Sequence, residues 1–274
     1  MKTELISIPS ENAVMDGLLY SPSEQDQGRA VLYFHGNTMN FYTGAARFLA
    51  QPLVAMGYTF LAFNRRGHDI LTTRSSRTAE GGAFQTTAEA LADNRDAASF
   101  LTGRGFSAPV IIGHSNGGML GVQHVIDHPQ TPALILLSAG RGGAQSTSGG
   151  PENLFAQDRQ SEFESKAREL IRAGRGRELM LLPGWWYAIS AESFLDRIAT
   201  VPDTVQLAKE IHCPVLAIRG DKESMQRYPA EEFADNCSGR CEVRIIESCD
   251  HFYTKRESVI ASTIVDWLTR TLPH

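Results

Sequence analysis

The sequence predicts an α/β protein: a mostly parallel sheet with helices on both faces and an insertion ahead of its last strands. Three observations predict it. Short apolar runs alternate with amphipathic stretches along most of the 274 residues, the pattern of buried strands joined by crossover helices. The alternation stops over 140–211 and then resumes. Gly113-His114-Ser115-Asn116-Gly117, the single G-x-S-x-G in the chain, falls where an apolar run meets a helical stretch.

Each element has its own signal. Glu4 to Pro9 and Ala13 to Tyr20 are short runs between Ser, Pro and Glu, which suits an opening hairpin. Ala30 to His35 (AVLYFH) is compact and apolar and ends at Gly36, as a buried strand does. Tyr42 to Met56 carries an apolar face and reads as a helix. Tyr58 to Asn64 (YTFLAFN) is a second buried strand, and Ala83 to Thr102 a helix with Leu91, Ala98 and Leu101 on one side. Pro109 to Gly113 is a strand, Asn116 to Asp127 a helix and Ala133 to Ser138 a strand. From Gly140 to Ile211 no buried-strand pattern occurs. Ser146 to Pro151 is rich in Ser and Gly, Asp158 to Leu179 is helical and charged, Leu181 to Tyr187 (LLPGWWY) is apolar and aromatic, and Ala191 to Ala199 is helical. Pro214 to Gly220 resumes the strands. A helix near Tyr228 to Asp235, the strand Cys241 to Ile246 and a helix from Arg256 to Thr271 complete the chain.

Composition excludes several classes. A hydrophobic fraction of 42% with 21% charged residues supports a sizeable core and excludes a disordered chain. The net charge is −5 and no basic stripe is present, so nucleic acid is not an expected partner. No stretch approaches the ~18 apolar residues of a spanning helix. Lys2, Glu4, Glu11 and Asp16 interrupt Met1 to Tyr20, which leaves no signal-peptide run. A soluble, cytoplasmic protein is expected. Cys213, Cys237, Cys241 and Cys249 form no disulfide framework, and no ligand pair completes a metal site with Cys237 and Cys241, so ordinary thiols are expected.

A G-x-S-x-G between a buried strand and a helix is the setting of a nucleophile elbow, where glycines let strand, turn and helix pack closely around an exposed serine. A serine hydroxyl needs a base, and the base needs an orienting carboxylate. The last two strand ends supply both: Pro214 to Gly220 leads to Asp221, and Cys241 to Ile246 is followed by Asp250-His251-Phe252. Ser115, Asp221 and His251 are therefore the expected catalytic residues. Glu223 is the rival for the carboxylate, in the same loop but farther from the strand end. Asp250 is read as capping its own loop, because adjacent residues rarely aim at each other across a ring nitrogen. His114 is expected to pack under the elbow. His124 and His128, four apart without a third ligand, are read as a surface feature of a helix end. An acyl-transfer site also needs N–H donors for the oxyanion. The backbone of Asn116, at the head of its helix, is one, and Asn37 in the His35-Gly36-Asn37 turn, with Thr38 beside it, is the other.

With these motifs the chain resembles the α/β-hydrolase superfamily over nearly its whole length. The resemblance rests on His35-Gly36, the turn Asn64-Arg65-Arg66-Gly67-His68, the elbow, Asp221 and His251 in that order. It implies an eight-stranded, mostly parallel sheet, a Ser-His-Asp triad and no cofactor. Many members carry Asp-x-Arg-Gly-x-Gly in the second turn, where this chain has Asn64 first and Asp69 last. The resemblance also implies that 140–211 is the variable helical cap on a core formed by 1–139 and 212–274.

In the cap, Trp185, Trp186 and Tyr187 either line an apolar acyl pocket or pin the cap to the core, and Phe252 is expected to reach the same pocket. Lys166, Arg168, Arg172, Arg175 and Arg177 form a basic helix, read as a solvated face, with a site for an anionic substrate as the alternative. The expected activity is hydrolysis of a carboxylic ester through an acyl-serine. Amide, lactone, thioester or carbon–carbon cleavage, acyl transfer, and ligand reception on a hydrolase scaffold are the alternatives. The expected partners are a small-molecule acyl substrate and, at most, a second copy of the chain.

Overall fold

The structure, a computed structural model, describes residues 1–10, 13–23, 28–73, 77–143, 156–183 and 187–272. The chain opens with a hairpin of β1 (Lys2–Ser10) and β2 (Ala13–Ser21), followed by β3 (Ala30–Phe34), α1 (Ala46–Ala55), β4 (Thr59–Phe63), α2 (Thr87–Gly103), β5 (Val110–His114), α3 (Asn116–Asp127) and β6 (Leu134–Leu137). The insertion contributes α4 (Gln160–Arg172), a hairpin of β7 (Leu179–Leu182) and β8 (Tyr187–Ser190), α5 (Ala191–Thr200) and the single turn α6 (Thr204–Leu207). Then come β9 (Val215–Gly220), α7 (Ala230–Asn236), β10 (Cys241–Ile246) and α8 (Glu257–Thr271).

Eight strands form one sheet in the order β1-β2-β4-β3-β5-β6-β9-β10. β1 and β2 run antiparallel to each other, β2 antiparallel to β4, and every pair from β4 to β10 is parallel. Each central strand feeds both cores by its two-residue period. Val31 and Tyr33 face the layer of α1 and α8, with Leu49, Leu53, Ile264 and Trp267. Leu32 and Phe34 face the layer of α2, α3 and α7, with Ala97, Leu101, Val122 and Phe233. A strand buried on both faces must be apolar throughout, which is why β3, β4, β5, β6 and β9 are readable as continuous runs.

Helix ends shift for local reasons. α2 begins at Thr87, not Ala83, because Thr86 and Glu89 form a capping box, each side chain satisfying the other's backbone N–H. The insertion departs more. The charged helix stops at Arg172, where Gly174 in the left-handed region turns the chain. Leu179–Leu182, alternately exposed and buried, then pairs antiparallel with Tyr187–Ser190, where no strand pattern was expected. Phe163, Leu170, Met180, Ile189 and Phe194 bury one another in a separate small core.

Candidate active site

The C-terminal ends of β3, β5, β6, β9 and β10 meet on one edge of the sheet, where ligands bind in such folds. At the end of β5, Ser115 has φ 55° and ψ −119°, a strained conformation for a residue with a side chain. Its backbone N–H donates to the Leu137 carbonyl at 2.8 Å, and the amides of Gly118 and Met119 close the first turn of α3 on its carbonyl. The flanking glycines are required by space. A Cβ at Gly113 would run into the Gly117 backbone, and one at Gly117 into the carbonyls of Phe34 and His35. Ser115 is thus half-buried at the head of α3, with the Asn116 N–H beside it, where no helical carbonyl precedes it.

The loops after β9 and β10 bring a histidine to a carboxylate. His251 Nδ1 donates to Glu223 Oε1 at 2.7 Å. Glu223 is the buried partner, its side chain 3% exposed against 19% for the histidine. Its second oxygen accepts from the Gly220 amide at 2.7 Å and from the Ser138 hydroxyl at 2.6 Å. Ser138 in turn accepts from the Tyr253 hydroxyl at 2.8 Å. The buried carboxylate therefore has the donors that its charge needs. The expected carboxylate, Asp221, is not brought to His251. It is exposed and accepts from the Ser248 and Cys249 amides at 2.9 and 3.0 Å. Those two bonds hold it below the usual carboxylate range. The first residue after β9 points toward the β10 loop, and the longer Glu223 side chain two positions on turns back under the base.

Other expected residues fall as follows. Asp250 accepts from the Phe252 and Thr254 amides at 3.1 and 2.9 Å, the capping role anticipated. His114 is buried beneath the elbow and its Nε2–H donates to the His251 carbonyl at 3.0 Å, with the two rings 4.8 Å apart. Burial pushes its pKa down to about 3. His251 also packs against Tyr228, ring centroids 4.8 Å apart, and meets Phe252 edge-on at 5.2 Å. Phe252 itself is 55% exposed. Asn37 lies in the turn Gly36 to Met39, closed by the Met39 amide on the Gly36 carbonyl. Its side-chain oxygen accepts from Arg197 at 2.6 Å. Trp185 and Trp186 lie outside the described residues, and Tyr187 opens β8.

His124 is not the surface residue expected. It is buried, edge-on to Phe34 at 5.3 Å and stacked on His128 at 4.2 Å, and burial pushes its pKa down to about 3. Most of the basic helix is solvated as read, with Arg168 on Glu164 and Arg175 on Glu178. Arg177 instead stacks over Phe84 at 4.4 Å. Among the described residues no helix is long and apolar enough to cross a membrane, and no cluster of His, Cys, Asp and Glu could hold a metal ion. Sequence reasoning missed Ser138, Tyr253 and Arg197. Tyr253, two residues after His251, was the one with a positional signal.

Three comparisons bear on identity. No curated protein is a significant sequence match to the chain. Among solved structures, it is similar to ferulic-acid-bound Est1E from Butyrivibrio proteoclasticus, at 16% identity and TM-score 0.71, with 98% of this chain and 100% of that one covered. It is similar to the alpha/beta hydrolase GrgF from Penicillium sp. sh18, at 14% identity and TM-score 0.76, with both chains covered in full. It is similar as well to a thermostable carboxyl esterase from Bacillus coagulans in complex with glycerol, at 14% identity and TM-score 0.73, with 99% of each covered. At such identities the likeness is one of fold. The sequence model described as "Alpha/beta hydrolase family" matches residues 31–261, most of the chain and all of the site edge, and the protein belongs to the alpha/beta hydrolase family.

Proposed function

We propose that the protein is a serine hydrolase of carboxylic esters, acting on small to medium acyl substrates with Ser115 as nucleophile, His251 as base and Glu223, in place of Asp221, as the orienting carboxylate. The observation that carries this is the 2.7 Å bond to the buried Glu223 from Nδ1 of His251, whose loop is tied to the elbow through His114. With Nδ1–H committed to the carboxylate, Nε2 carries the lone pair that accepts the Ser115 proton. Ser115 Oγ adds to the ester carbonyl, whose oxygen becomes an oxyanion held by the Asn116 and Asn37 amides, each worth about 3 kcal/mol in such a site. Collapse breaks the bond to the alcohol oxygen, which leaves with the proton from His251. Water then loses a proton to His251, adds to the acyl-serine and releases the acid, restoring Ser115. Glu223 stabilises the imidazolium through its bond to Nδ1. No cofactor enters. Residues 140–211 serve as the cap over a core of 1–139 and 212–274, and Phe252 borders the acyl pocket. The cytoplasm, which keeps the four cysteines as thiols, is the compartment that fits.

The test is Ser115→Ala. It should abolish turnover of a p-nitrophenyl ester and labelling by a fluorophosphonate, with the melting temperature retained. Labelling that persists in the variant removes Ser115 from the reaction. Saturable ligand binding by wild-type protein without repeated turnover would favour a receptor. A panel of esters, amides and lactones read by mass spectrometry assigns the bond cleaved.

A further inference from the structure

The turn that carries Asn37 is strained. Thr38 has φ 56°, a left-handed conformation that costs a β-branched residue and persists only where its surroundings hold it. Several bonds hold the far side. Asn40 donates to Asp69 Oδ1 at 2.9 Å, the Phe41 amide donates to Asn64 Oδ1 at 2.8 Å, and the Asp69 amide donates to the Met39 carbonyl at 3.2 Å. The near side is held from the insertion. Arg197, on α5, is 7% exposed and places its two Nη groups on two loops of the core: one donates to Asn37 Oδ1 at 2.6 Å, the other to the Gly82 carbonyl at 2.9 Å. Gly82 is itself part of the junction. Its amide donates to the Asp69 carbonyl at 2.8 Å, and a Cβ there would press within 3.1 Å of the Thr38 methyl. The preceding residue of α5 is also committed to the core, with Asp196 Oδ2 accepting from the Thr87 amide at 2.6 Å. Two successive side chains thus dock α5, one on the head of α2 and one on the turn beside Ser115.

We propose that Arg197 is a positioning residue for the oxyanion turn: it ties the docked insertion to Asn37, so that the Asn37 N–H is aimed only while α5 sits on the core. This rests on the proposed role of Asn37 in the ester hydrolysis above. Only a planar fork with two separated Nη groups spans Asn37 and Gly82 together, which a single ammonium does not. When that grip is lost, Asn37 is no longer anchored by its side chain, the strained turn can relax, and the Gly36–Asn37 peptide that carries the donor N–H turns away from the acyl oxygen.

Arg197→Met, Arg197→Lys, Asn37→Ala and the double variant Arg197→Met/Asn37→Ala are compared on a p-nitrophenyl ester, with Ser115→Ala in parallel. Arg197→Met should lower kcat about 10- to 100-fold, the loss typical of one charge-assisted hydrogen bond, with KM moved less than about threefold. Asn37→Ala should lower kcat to a similar degree, and the double variant no further than the worse single one, because both remove the same link. Arg197→Lys should recover part of kcat. Additive losses, or an unchanged kcat in Arg197→Met, would overturn the proposal. If Arg197→Met does not fold, Asn37→Ala decides, being a half-buried turn residue, and an unchanged kcat there overturns it equally. Turnover that survives in Ser115→Ala removes Ser115 as the nucleophile and with it the acyl-serine reading on which this link rests. A dead Ser115→Ala beside a fully active Arg197→Met sinks this link alone.

Discussion

The two halves of the site are built on different physical principles. On the nucleophile side, at the ends of β3 and β5, backbone geometry sets the positions: strain at Ser115, glycines that admit close packing at 113 and 117, and a helix head that offers amides. On the acid–base side, at the ends of β9 and β10, side-chain reach sets them. Glu223 comes two residues after the Asp221 position and meets His251 with its other oxygen fixed by Gly220 and Ser138, the latter backed by Tyr253. A backbone-built site tolerates no change of main-chain shape. A reach-built site is sensitive to the identity and the partners of one side chain.

The largest test of that difference exchanges the two carboxylates of the β9 loop. Glu223→Gln keeps the shape and removes the charge, so the imidazole loses its anchor and the imidazolium its stabiliser. A fall in kcat of about 10³- to 10⁴-fold is expected, as for the equivalent change in other Ser-His-acid sites. Asp221→Asn should leave kcat within about threefold, as for a surface substitution remote from the chemistry. It should lower the melting temperature, because two amides of the β10 loop lose an anionic acceptor. The reverse ranking in ester kinetics would return the acid role to Asp221.

What was legible in the sequence follows the same division. The parallel sheet was legible because strands buried on both faces must be apolar without interruption, and the elbow because its glycines answer to space. His251 was legible by its place after β10. The carboxylate that it meets was not, since distance along the chain from a strand end does not say which way a side chain turns in a loop. Asp221 and Glu223 differ by one methylene and by the presence of Ser138 beneath one of them, a contact 85 residues away in the chain. The hairpin of β7 and β8 escaped because only alternate residues of Leu179–Leu182 are buried, in a core that belongs to the insertion alone. Arg197 escaped because a lone arginine on an amphipathic helix carries no mark of the loop it will grip, 160 residues away in the chain.

The acid–base side sharpens further at its support. Ser138→Ala removes one donor from the buried carboxylate of Glu223, and Tyr253→Phe removes the donor behind it. Losses of about tenfold and about threefold in kcat are expected, from one direct and one relayed hydrogen bond. Neither group meets substrate, so KM should hold. In a Glu223→Gln background both losses should shrink toward nothing, because there is no charge left to orient. Full, additive losses in that background would mean that Ser138 and Tyr253 act on the fold of the β6 edge instead of on the carboxylate.

The smallest effect separates the two sides by pH. On the nucleophile side His114 and His124 are buried neutral, with pKa values pushed down to about 3 from 6.5. As pH falls below 6.5 the unfolded chain takes up protons that these two refuse in the folded state, so stability is lost progressively from about 6.5 downward, at up to about 1.4 kcal/mol per pH unit per group. On the acid–base side Asp221 and Asp250 are held below the usual carboxylate value of 3.8 by backbone amides. Their contribution is fully present above 3.8 and is lost only as pH drops through their folded values. Urea unfolding between pH 7.5 and 4.5 should therefore report the buried histidines and not Asp221 or Asp250. His124→Leu, which keeps an apolar side chain against Phe34, should flatten that slope, while Asp221→Asn should lower stability by the same amount at every pH in the window. An unaltered slope in His124→Leu would show that His124 takes its proton in the folded state, and that acid sensitivity in this range is not carried by the helix behind the elbow.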